Sequence, residues 1–119
     1  GSQLPIAITF TNTDHEIVKP LSNWKTVNEE LYNNVQIFPT ATPLARGKQI
    51  TPGPKGAPDK EAEFVVAWVN QYGNTRVFST TIGHNNTTVS DARYLELVAR
   101  GLVWACNKSE KEYLKTAAK

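Results

Sequence analysis

Residues 63–86, EFVVAWVNQYGNTRVFSTTIGHNN, constrain the fold more than any other stretch of this chain. The run from Phe64 to Val69 is β-branched, aromatic and small apolar throughout, the pattern of a strand covered on both faces rather than half exposed to water. Asn70-Gln71-Tyr72-Gly73-Asn74 breaks that run. Gly73 can take positive φ with no Cβ clash and Asn74 tolerates it, so the economical reading is a hairpin returning through residues 76–82. Both strands are expected in the interior of a sheet. The return strand delivers Gly83-His84-Asn85-Asn86 to a sheet edge just ahead of a helix, where α/β folds place ligand sites.

With 119 residues there is room for one modest core. A net charge of +2 without a dense Lys/Arg block argues against nucleic acid or a membrane surface as the partner. Nor does any apolar run reach the length of a membrane span. The single cysteine, Cys106, excludes an internal disulfide and a multi-cysteine metal cage. It lies within Leu102-Val103-Trp104-Ala105-Cys106, so a buried, inert thiol is expected. Gly1-Ser2 reads as a cloning scar, which leaves an export signal, and with it an exported or periplasmic location, open.

In chain order, residues 4–10 predict a strand with Ile6, Ile8 and Phe10 on one face and Pro5 at its start. Residues 11–15 carry loop chemistry. For residues 24–32, WKTVNEELY, the stripe Trp24, Val27, Leu31 slightly favours a helix over a strand. Residues 35–38 predict another strand. Residues 46–60, RGKQITPGPKGAPDK, are rich in proline, glycine and lysine and predict a solvated surface excursion.

Ser90 or Asp91 can cap a helix reaching to about Asn107. Tyr94, Leu97, Val98, Leu102 and Ala105 are its expected buried face, with Arg93, Glu96, Arg100 and Asn107 outside. Gly101 in that stripe suggests a close approach of the helix to the sheet. Residues 109–119 predict a short terminal helix that frays.

The candidate chemistry is sparse. His15 and His84 are the only imidazoles; both fall in strand-end loops beside small polar residues, and Glu29 and Glu30 precede Tyr32. Such a set is suited to holding a divalent metal, a sugar's hydroxyls, or a proton in transit. A loop histidine is more often a surface or capping residue. No nucleophile elbow, P-loop or dinucleotide fingerprint is present.

Several short motifs occur in a telling order: His15-Glu16-Ile17, Glu29-Glu30-Leu31-Tyr32, Trp68-Val69-Asn70 with Tyr72-Gly73, Arg76-Val77-Phe78, Gly83-His84, Asp91-Ala92-Arg93-Tyr94, and Arg100-Gly101-Leu102-Val103-Trp104. Together they resemble the ThuA-like (trehalose utilisation) domain, over nearly all of the chain outside residues 46–60. The resemblance implies the class I glutamine amidotransferase-like superfamily, with a flavodoxin-like α/β sandwich or a truncated part of it, a central hairpin and a C-terminal helix on the sheet. It further implies a bacterial protein of disaccharide or keto-sugar metabolism. The family's first histidine motif maps onto His15, its DELY motif onto Glu29 to Tyr32, and its GH motif onto Gly83-His84.

Glu16 stands where the family usually has proline, and Glu29 where it has aspartate. A full domain of the family is longer, so residues 3–119 resemble its carboxyl-terminal portion. Amidotransferase chemistry is not implied, since no cysteine sits at a strand-to-helix elbow. His15, Glu30, Tyr32 and His84 are thus the candidate ligand- or metal-binding residues, with His15, Glu30 and His84 expected to converge. Two readings stay open, a sugar-processing enzyme and a non-catalytic carbohydrate- or partner-binding module of a larger protein.

Overall fold

A computed structural model describes residues 2–114. Five strands form one sheet in the order β2-β1-β3-β4-β5, where β1 is Gln3–Phe10, β2 Trp24–Glu30, β3 Thr42–Thr51, β4 Lys60–Tyr72 and β5 Thr75–Thr80. Every pairing among them is antiparallel. Three helices follow: α1 Asn86–Val89, α2 Ala92–Ala105 and α3 Glu110–Tyr113. The chain is therefore a small α/β unit, and the parallel strands of a flavodoxin-like sandwich are not among the described residues.

The expected hairpin is present. Tyr72 pairs with Thr75 across a turn in which Gly73 has φ of 56°. Its first strand, β4, lies between β3 and β5, but β5 is an edge rather than an interior strand, and so the expectation for residues 76–82 needs correcting. The helix α2 packs on β5 and supplies the cover that a further strand would give.

Residues 24–32 form a strand, not a helix. A register shift between Pro5 and Ala7 places a bulge in this strand, opposite Ile6. The buried residues of β2 are thereby Thr26 and Glu29, three apart, while Val27, in the middle of the stripe that favoured a helix, is exposed. Thr26 Oγ1 accepts the Ile6 N–H at 2.9 Å, which replaces the ladder bond that the bulge removes.

The largest departure is at residues 46–60, whose first part is not a loop. β3 is the middle strand of the sheet. On its solvent face Arg46 and Lys48 pair with Glu63 and Glu61 of β4, so its polar residues are those of a one-sided sheet. On its inner face Gly47 leaves no room for a side chain, because a Cβ there would overlap Val66 and Ile6. Gln49 is buried and donates to the carbonyls of Leu4 and Glu29. Residues 35–38 are irregular, not a strand.

The core gathers Ile6, Ile8, Phe10, Leu44, Val66, Val69 and Ile82 with Ile17, Val18, Leu97 and Trp104. Asp91 caps α2 by accepting the Arg93 N–H at 2.8 Å. The helix buries Leu97, Gly101 and Trp104. Leu102, expected inside, is 62 % exposed. Gly101 does mark a close approach, since a Cβ on it would overlap the Phe78 ring. Arg100, expected outside, is mostly covered between Glu96 and Glu110. Cys106 is exposed because it is the C-cap beyond the packed face. Of the expected terminal helix, α3 is present, and residues 115–119 lie outside the described residues.

Candidate functional site

The register places the candidate residues. Gln3 pairs with Glu30 and Thr51 with Lys60 at one end of the sheet, while Phe10 pairs with Ala45 and Thr42 with Val69 toward the other. Glu30 ends β2 and Ile82 to Asn85 follow β5, so both arrive at the first end. His15 belongs to the loop after Phe10, at the second end. The structure thus brings Glu30, Tyr32 and His84 together and leaves His15 apart from them.

His15 has structural partners. Its ring lies 5.4 Å from that of Trp104, centroid to centroid. Nδ1 accepts the Ile17 N–H at 3.2 Å, within a loop that drives Ile17 and Val18 fully into the core. Burial pulls the His15 pKa below its ordinary value, with Arg76 adding to the effect and Glu16 and Glu110 opposing it. The neutral ring suits a residue that wedges a loop against a helix end.

His84 is different. Nδ1 stands 3.5 Å from Glu30 Oε2, an ion-pair contact rather than a hydrogen bond. Nε2 lies 3.3 Å from Gln3 Nε2. In the neutral ring, a carboxylate facing Nδ1 favours the proton there and leaves Nε2 as the acceptor for the Gln3 amide. The His84 side chain is 42 % exposed, so Nε2 is also accessible to a ligand.

An open cleft of about 540 Å³ lies beside it, lined by Tyr32, Val35, Thr80, Thr81, Ile82, Gly83 and His84. It offers an aromatic ring, the Thr81 hydroxyl and an imidazole, while Thr80 Oγ1 is engaged, donating to the Val66 carbonyl and accepting the Ile82 N–H. A second concavity of about 280 Å³, lined by residues that include Phe10, Leu21, Trp24 and Arg93, lies toward the other end. There the Arg93 guanidinium is already held by Asp91 at 2.7 and 2.9 Å and stacked 4.7 Å over Trp24.

Glu29, which the sequence presented only as a departure from aspartate, holds this site together. Its side chain is fully buried. Oε1 accepts the N–H groups of Glu30 at 2.9 Å and His84 at 3.0 Å, and Oε2 accepts that of Asn85 at 3.1 Å. The buried Thr88 hydroxyl faces the same carboxylate without closing a hydrogen bond of full geometry. Burial by itself raises the Glu29 pKa, but the Thr88 side chain and the three backbone N–H groups outweigh it and hold the carboxyl below its usual range. One carboxylate therefore ties Glu29-Glu30-Leu31-Tyr32 to Gly83-His84. Alternation along the strand could not reveal this, since the bulge disrupts it; only the motif spanning residues 29–32 pointed to the position.

A metal site does not assemble from these residues. Glu30 and His84 supply two donors where a catalytic zinc centre uses three protein ligands. Among the described residues no group of three His, Cys, Asp or Glu side chains is placed to hold an ion.

A protein-family model described as ThuA, trehalose utilisation, matches residues 2–105, most of the chain. No curated protein and no solved structure gives a significant match.

Proposed function

The chain belongs to the ThuA, trehalose utilisation, family, and on that premise we propose that it recognises a disaccharide or keto-sugar in the cleft beside His84, as a domain of bacterial carbohydrate metabolism. The observation that carries this reading is the meeting of His84 with Glu30 at a cleft lined by Tyr32, Thr80 and Thr81. Sugars present apolar C–H faces and rings of hydroxyls. An aromatic wall suits the first, and hydroxyl, imidazole and carboxylate groups suit the second. Binding without a resident metal is favoured, because the donors near the cleft number two.

The second reading, a non-catalytic binding module of a larger protein, is favoured by how open the cleft is to water. For the fold, we read the antiparallel sheet and its helical cover as a truncated α/β domain, a reading consistent with the family match.

Calorimetric titration with trehalose and with a keto-disaccharide tests the proposal, using His84→Ala as the comparison. Saturable binding by the wild-type chain, weakened at least tenfold in the variant, is the expected result. Binding of neither sugar, or equal binding by both chains, overturns it. Chromatography of the sugar after incubation separates the two readings, since only an enzyme changes it.

A further inference from the structure

We propose that Glu29 is the positioning residue of the His84 cleft: its buried carboxylate holds the backbone of His84 and Asn85 and thereby sets where the imidazole stands between Glu30 and Gln3. The inference deepens the sugar-cleft reading and rests on it only for the ligand.

Residues 81–85 belong to no strand or helix, so no ladder satisfies the N–H groups of His84 and Asn85. Glu29 accepts both. The approach to the loop is tight, because Gly83 has φ of 122° and a Cβ on it would meet the Tyr94 hydroxyl at 2.8 Å. The exit is fixed by Asn85, which caps α1 through the Thr87 N–H at 2.8 Å. Between these points the His84 ring is too exposed for packing to orient it.

The other end of the tether is rigid. Gln49 donates to the Glu29 carbonyl at 3.1 Å and to that of Leu4, its partner across the ladder, at 2.9 Å. The Glu29 carboxylate is therefore a fixed post in the sheet, and the loop hangs from it. Glutamine at this position keeps one acceptor oxygen but turns its NH₂ toward a backbone N–H, donor against donor. The loop then has to move.

The experiment compares the wild-type chain with Glu29→Gln and Glu29→Asp by NMR of the histidine rings, together with trehalose titration. In Glu29→Gln the His84 ring signals should shift while those of His15, at the opposite end of the sheet, stay in place, and the trehalose Kd should rise tenfold or more. Glu29→Asp keeps the charge and should lie nearer the wild type. A folded Glu29→Gln whose His84 signals superimpose on the wild type overturns the proposal.

If Glu29→Gln does not fold, acid titration of a Glu30→Gln chain, which lacks the other carboxylate facing the ring, decides. The amide signals of His84 and Asn85 should move together as Glu29 gains its proton, and the His84 ring should show an inflection at the same pH; ring signals without one overturn the proposal. If trehalose leaves the wild-type His84 unmoved, the sugar reading fails, while the comparison of ligand-free rings still decides the positioning role.

Discussion

Replacing Glu29 by alanine should destabilise the chain far more than replacing Asn28, its exposed neighbour on the same strand. Glu29 is fully buried and accepts three backbone N–H groups. Truncation strands those donors, at about 1–3 kcal/mol for each that stays dry. His84 and Asn85 lie at the rim, where a small opening admits water, so about 1 kcal/mol each is the appropriate end of that range. The one lost methylene adds about 0.8 kcal/mol. The expected total is about 4–6 kcal/mol, against about 0.5 kcal/mol or less for Asn28→Ala.

Urea unfolding followed by tryptophan fluorescence at pH 7 measures both. The pH dependence checks the cause. Because the folded-state carboxyl of Glu29 is depressed, its contribution is fully present above the unfolded carboxylate pKa, about 4.3, and is lost as pH falls through the lower folded value. The gap between wild type and Glu29→Ala should therefore narrow in acid. Equal midpoints for Glu29→Ala and Asn28→Ala at pH 7, or a gap that ignores pH, would refute the reasoning.

Gly101→Ala sets two effects against each other: helix propensity favours alanine by about 1 kcal/mol, but the new Cβ overlaps the Phe78 ring and overpacking costs about 1–3 kcal/mol. A lower urea midpoint is expected, and a higher one would mean that the helix does not approach the sheet so closely. Leu97→Ala should cost about 2–5 kcal/mol and Leu102→Ala no more than about 0.5, since Leu97 is buried and Leu102 exposed; equal melting shifts would contradict that assignment of faces. Asp91→Ala should remove about 1 kcal/mol with the helix cap. The side-chain hydrogen bond from Arg93 holds the Asp91 carboxyl at about 2, so thermal unfolding should register the Asp91→Ala deficit in full at pH 5 and find it fading as pH falls toward 2.

The parts of the fold that residue pattern could reveal are those where one interaction dominates. The apolar run of β4, the Gly73 turn and the Asp91 cap each follow from a local requirement, and each is present. β3 failed as a strand on pattern because its Arg46 and Lys48 are satisfied by Glu63 and Glu61, partners that only the paired register identifies. The stripe Trp24, Val27, Leu31 misled because Val27 is exposed; a bulge opposite Ile6 buries Thr26 and Glu29 instead, and the Ile6 N–H is capped by Thr26, twenty residues away.

Trp104 was passed over in favour of Leu102 because continuing the stripe from Val98 to Leu102 and Ala105 sets the buried face one position off. At the site, of the expected meeting of His15, Glu30 and His84, the structure shows Glu30 beside His84. The motifs did not separate His15, whose distance from His84 depends on the direction of β1 across the sheet. Nor did they single out Glu29, because a buried carboxylate is legible only through the backbone donors that surround it.

The most direct test of the account follows both histidine rings by NMR while trehalose is added to the wild-type chain. His84 should shift saturably and His15, wedged against Trp104 at the far end, should not move. A response from His15 with His84 still, or from neither ring, would contradict the placement of the ligand cleft at the Glu30 and His84 end of the sheet.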